Sequence, residues 1–169
     1  MISNSWRPQN EDITHNTFWL SDVSDVHTIV GTECNDVGEP DLVILNTNYQ
    51  SMVRVWYDED LIANILSALD TDIESIPKFS RSNFVSDYFA FAENTPLTGV
   101  SIEEALENTK FMKKEEEYIV WFMFNQGFDH IWSILKFTEN KKTIENYIQY
   151  IVQNFYNKKG WNVNLGTVR

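Results

Sequence analysis

The chain has 169 residues, 14% of them aromatic, and a formal net charge of -12. That length suits one domain, residues 1–169, with a real core, and the composition excludes a disordered body. One cysteine, Cys34, excludes an intramolecular disulfide and fits a reducing compartment; the N-terminal residues show no apolar signal region, so the expectation is a cytoplasmic protein.

Residues 1–17 are polar and aperiodic and read as a loop or loosely docked arm, with Phe18, Trp19 and Leu20 as a short anchor. Residues 26–30 suit a first strand ended by Gly31, and residues 33–41 hold the turn formers Asn35, Asp36, Gly38 and Pro40. Residues 41–46 form a compact apolar run with a β-branched centre, which predicts a buried strand. A turn at 46–48 leads to a third strand over 51–57. Met52, Arg54 and Trp56 would lie on one face of it and Val53, Val55 and Tyr57 on the other, pairing with 41–46 as a hairpin.

Asp58, Glu59 and Asp60 mark a helix start, where carboxylates meet the positive end of the helix dipole. Leu61, Ile62, Ile65, Leu66 and Leu69 then keep helical spacing up to Asp70. A second helix is predicted from Ser80 or Ser82, with Phe84, Val85, Tyr88, Phe89 and Ala92 as its stripe and Asn94 as its stop. Ser101 followed by Glu104 has the capping-box pattern, which predicts a short helix over 102–109.

Residues 118–124, YIVWFMF, are seven apolar residues in a row, four of them aromatic. They are expected at the centre of the core, since burying several rings contributes on the order of 10 kcal/mol before entropy. The preceding KKEEE and the following Gly127 favour a helix over 113–126 ended by that glycine. The rival is a strand over 118–124 paired with 131–137. Asp129 would cap a further helix over 131–138. Thr143 opens the clearest helix, with Ile144, Tyr147, Ile148, Ile151, Val152 and Phe155 as its stripe and Lys158, Lys159 and Gly160 at its end. Residues 161–169 read as a docked extension. The fold class expected is α+β: a small N-terminal antiparallel sheet of about three strands packed with a mainly helical C-terminal two-thirds.

No motif carries chemistry. The three histidines, His15, His27 and His130, have no metal-ligand spacing, and residues 70–74 fail the calcium-loop pattern at Ser75 and Arg81. There is no serine elbow or phosphate loop, and Cys34 has no basic neighbour in sequence. No metal, cofactor or catalytic residue is therefore expected, nor any enzyme activity. A small enzyme whose site is assembled only in the fold is kept as an alternative, marked by a deep pocket with convergent polar groups.

Charge is lopsided. Residues 1–107 hold 19 Asp/Glu against 4 Lys/Arg, whereas 108–169 hold 6 against 9. Such a field repels nucleic acid and anionic lipid and attracts a basic protein. The expected partner surface is Trp56, Asp58, Glu59, Asp60, Asp70, Asp72 and Glu74, carboxylates beside an aromatic ring. The leading expectation is an acidic immunity protein that neutralises a basic bacterial toxin, a nuclease in its most concrete form, by direct binding. A nucleic-acid-mimicking anti-defence protein is the alternative from another class.

Overall fold

The computed structural model describes residues 42–160 in full and, nearer the N-terminus, the backbone of two strands. Ile2–Arg7 (β1) pairs antiparallel with both Thr14–Phe18 (β2) and Leu42–Leu45 (β3), so Ser5 lies opposite His15 on one side and Ile44 on the other. β1 and most of β2 lie in the stretch expected as a loop or arm. The strand expected at 26–30, Cys34 and the extension at 161–169 lie outside the described residues.

Within residues 42–160, 74% of the chain is helical and β3 is the one strand. The expected α+β class is thus corrected to a mainly helical domain. The helices are α1 (Glu59–Thr71), α2 (Lys78–Glu93), α3 (Thr95–Thr98), α4 (Ile102–Asn108), α5 (Tyr118–Leu135) and α6 (Lys141–Lys159), with 3-10 turns at Thr47–Tyr49, Ile73–Ser75 and Lys110–Lys114. No described helix is long and apolar enough to cross a membrane.

The hairpin expected between 41–46 and 51–57 does not form, because side chains take over the role of a strand ladder. Asn46, Asn48 and Tyr49 all have positive φ and turn the chain away after β3. Buried Asn46 then bonds the incoming segment: its Nδ2 donates to the carbonyls of Ser51 and Val53, and its Oδ1 accepts from the Ser51 N–H. The Val55 N–H goes to the Asp87 carboxylate at 2.9 Å. With these groups satisfied, the backbone stays extended without a partner strand. Its two faces still alternate: Val55 and Tyr57 are buried, whereas Met52, Arg54 and Trp56 are exposed.

α1 starts where the carboxylates predict. Asp58 is its N-cap and accepts from the Leu61 N–H at 2.8 Å. Ser101 caps α4 through the Glu104 N–H at 3.0 Å. α6 carries Lys158 and Lys159 in its last turn, where cations suit the negative helix end.

α2, rather than the run at 118–124, is the centre of the molecule. It is buried on nearly every side, polar residues included: Ser80, Arg81, Ser82, Asn83 and Asp87 accompany Phe84, Val85, Tyr88, Phe89 and Ala92. Its main partner is α5. The run at 118–124 is helical, which excludes the rival strand, but a helix points seven consecutive residues all round its axis. Only Val120 and Phe124, four apart, are fully buried; Tyr118 is 76% exposed and Phe122 42%. The helix also begins later than expected, because residues 110–114 form a tight 3-10 turn and 115–117 are extended.

Gly127 does not end this helix. A Cβ there would lie 2.5 Å from the Cβ of Phe89, so the glycine is a point of close approach between α5 and α2. The separate helix expected at 131–138 is the second half of α5, which runs unbroken to Leu135.

Arg81 ties these pieces together. Its Nε and Nη2 fork onto the buried Glu115 carboxylate at 2.7 and 3.1 Å. Nη1 donates to the carbonyls of Ile73 and Ile76, and Nη2 also reaches Glu74 at 3.2 Å. All five guanidinium hydrogens are used. Glu115 in turn accepts from the N–H groups of Glu116 and Glu117, just ahead of α5.

Candidate functional site

The residues expected to bind a partner are all exposed and lie in two groups, one at each end of α1. Trp56 and the Asp58–Asp60 acids sit at the start of α1, while Asp70, Asp72 and Glu74 lie at and beyond its end. Thirteen helical residues separate the groups by about 20 Å. Trp56, 56% exposed, packs one face on Phe91 with ring centroids 5.5 Å apart. Asp58 is committed to capping. Asp72 caps the Ile73–Ser75 turn through the Glu74 N–H at 3.0 Å, and Glu74 pairs with Arg81. Asp70 binds Lys114 at 2.6 Å, and that ammonium holds its carboxyl below the ordinary range. Glu59 and Asp60 are exposed in the first turn of α1.

A different place has the shape of a site: a groove of about 580 Å³ between α5 and α6, within the usual range for ligand pockets. α5 contributes Asn125, Phe128, Asp129 and Trp132, and α6 contributes Glu145, Ile148 and Gln149. On each helix these residues recur at three- and four-residue spacing, so each set occupies one helix face.

The rings are ordered along α5. Phe124 and Phe128 stack with centroids 5.5 Å apart and planes 12° from parallel; Phe128 and Trp132 follow at 6.5 Å and 18°. Tyr147 of α6 stacks on Phe124 at 6.5 Å and anchors the second helix; its hydroxyl shares a 2.8 Å hydrogen bond with Thr109. Burial raises the Tyr147 phenol above its ordinary range. The groove therefore joins an aromatic wall to two carboxylates, one from each helix, and two amides. It is suited to holding a ligand and has no nucleophile–base pair among its lining residues.

Sequence reasoning missed this site. The signal lay in the spacing of Asn125, Phe128, Asp129 and Trp132. Breaking the helix at Gly127 and assigning Asp129 to a cap hid that spacing. Among the described residues no group of three or more His, Cys, Asp or Glu is placed to hold a metal ion.

Among the described residues, Asp87 on α2 is, besides Glu115, the buried carboxylate aimed at a charged partner. It accepts from Arg54 Nη1 at 3.1 Å and from the Val55 N–H, and so fastens the extended 51–57 segment to α2. Burial pushes its carboxyl up to about 6, against the opposing pull of Val55 and Arg54. A carboxyl raised in the folded state adds stability that is complete below about pH 4 and is lost as pH rises through 6. Going from pH 7 to pH 5, the protein should gain about 1 kcal/mol relative to Asp87→Asn. Urea unfolding of both proteins at the two pH values checks this; equal changes, or a loss at pH 5, would refute the assignment.

Residues 42–167 match the model of the ERAP1-like C-terminal domain. Among curated proteins, aminopeptidase Q of Felis catus is 33% identical over 110 residues, 65% of this chain and 10% of that protein. Human aminopeptidase N is 33% identical over 106 residues, 62% of this chain and 10% of that protein. Aminopeptidase Ey of Gallus gallus is 29% identical over 108 residues, 64% of this chain and again 10% of the relative. The chain thus spans about a tenth of the length of the curated relatives it matches.

These matches overturn the expectation of a toxin-neutralising immunity protein of bacterial competition, and its nucleic-acid-mimic alternative with it. An acidic balance was the main support for both, and net charge speaks to association and solubility rather than to fold or lineage. The match over 42–167 takes in the whole described helical body, three quarters of the chain, and the chain belongs to the ERAP1-like C-terminal domain family.

Proposed function

We propose that this chain is a non-catalytic helical module of an aminopeptidase-type protein, contributing a surface for binding rather than groups for peptide cleavage. The family match carries the reading: it is to a region named as a C-terminal domain, in proteins named aminopeptidases, and it covers the helical body. The groove between α5 and α6 supports it, because its rings, amides and carboxylates suit holding a ligand.

Two measurements test the proposal. The purified chain, incubated with a panel of aminoacyl nitroanilides with and without added zinc, should release no more nitroaniline than buffer. Human aminopeptidase N in which residues 42–167 of this chain replace the matching segment should fold and keep hydrolysis that deletion of the segment abolishes. Hydrolysis by the isolated chain, or a substituted enzyme no better than the deletion, would overturn the reading.

A further inference from the structure

We propose that the groove between α5 and α6 binds an arginine-bearing peptide segment, with the guanidinium held by Asp129 and stacked on the aromatic wall.

Three observations support this occupant. First, the volume of about 580 Å³ exceeds a single side chain and fits a short stretch of several residues. Second, the lining residues place near-parallel rings, Phe128 and Trp132, in the same groove as two carboxylates. A guanidinium is the common group that satisfies both, since its plane stacks on a ring and its edge forks onto a carboxylate.

Third, charge is available. Asp129 lies between the two rings in sequence, is exposed, and makes no hydrogen bond or ion pair with a described residue. That sets it apart from Asp58, Asp70, Asp72 and Glu74. On the facing helix, Glu145 is approached by Lys141 at 3.8 Å and Lys142 at 3.6 Å, both beyond hydrogen-bond length, so its oxygens remain open to a better donor. Gln149 adds an amide that can bond the backbone of a bound segment. An anionic segment would meet the Asp129 carboxylate with no cation beside it, and a purely apolar one would desolvate that carboxylate without return.

The test is a titration of the full chain with an eight-residue Gly/Ser/Ala peptide carrying one central arginine, followed by the indole N–H resonance of Trp132. The same peptide with citrulline, which keeps the shape and removes the charge, is the control. The arginine peptide should shift the Trp132 signal saturably, and binding should weaken as salt rises. Citrulline should cost about tenfold in affinity, as should Asp129→Asn. Asp129 is exposed, so that variant keeps the fold; Trp132→Ala, which removes the reporter and is therefore followed by calorimetry, should abolish binding, and Glu103→Gln on α4 should change nothing. Equal binding of the citrulline peptide, an unchanged Kd for Asp129→Asn, or a Trp132 response explained by self-association of the chain would each overturn the proposal. None of these readouts depends on peptide hydrolysis, so the inference stands or falls apart from the aminopeptidase reading.

Discussion

Arg81→Ala should cost about 3–5 kcal/mol of folding stability, a large share of what a domain of this size has to lose. The loss comes mostly from what is left behind. Glu115 is buried and, without the guanidinium, keeps only the N–H groups of Glu116 and Glu117 against its charge. The carbonyls of Ile73 and Ile76 lose their donor as well. Arg81→Lys should recover little, because one ammonium has three donors and cannot span Glu115, Glu74 and two carbonyls at once. The double variant Arg81→Met with Glu115→Leu should be more stable than either single change, since removing both charges also removes the cost of burying them. Urea unfolding of the wild type and of each variant, both single changes included, measures this. A loss below about 1 kcal/mol for Arg81→Ala would show that the buried pair is not what ties α2 to the residues ahead of α5.

Arg81 also shows where legibility in the sequence ends. Nothing around it, flanked by Ser80 and Ser82, marks it as buried, and its partner Glu115 lies 34 residues away. α1 and α6 were legible because their information is local: an apolar stripe at helical spacing, an acid at the start of α1, lysines at the end of α6. Ser101 was legible for the same reason. The 51–57 segment was half legible. Alternation put Val55 and Tyr57 on a different face from Met52 and Trp56, but which face is buried, and whether the backbone found a strand or the side chains of Asn46 and Asp87, was decided by tertiary placement. The run at 118–124 misled through its composition. Its hydrophobicity was real, yet a helix presents only part of its surface to a neighbour, and the side chains left over, Tyr118 and Phe122, face outward as a pair with centroids 6.1 Å apart. The candidate groove required a continuous helical register through Gly127, so one misplaced helix end concealed four of its seven lining residues.

Gly127→Ala gives that helix end a direct test, because two physical effects predict opposite signs. If the glycine were merely a helix residue with no neighbour, alanine would stabilise α5 by about 1 kcal/mol through lost chain entropy and better helix propensity. The structure instead places the new Cβ 2.5 Å from Phe89 Cβ and 2.6 Å from its Cγ and Cδ2. Phe89 is 1% exposed and packs edge-on against Phe124 at 5.3 Å, so its ring has no free space to enter. The Phe89 Cβ is fixed by its backbone, so no change of ring rotamer relieves the contact; the helices must separate, at about 1–3 kcal/mol. Gly127→Val should cost more still, since its branched side chain adds two methyl groups to the same contact. The cause can be separated from a general weakening of α5 by pairing each change with Phe89→Gly, which removes the Cβ as well as the ring that the new methyl would meet. That variant opens a cavity of its own and destabilises alone, but in its background Gly127→Ala should be neutral or stabilising. A coupling of at least about 1 kcal/mol between the two sites is the expected result. Additive losses would place the clash elsewhere. A gain in stability from Gly127→Ala alone would mean that α5 and α2 do not meet at this residue, and the unbroken helical face that builds the groove would lose its support.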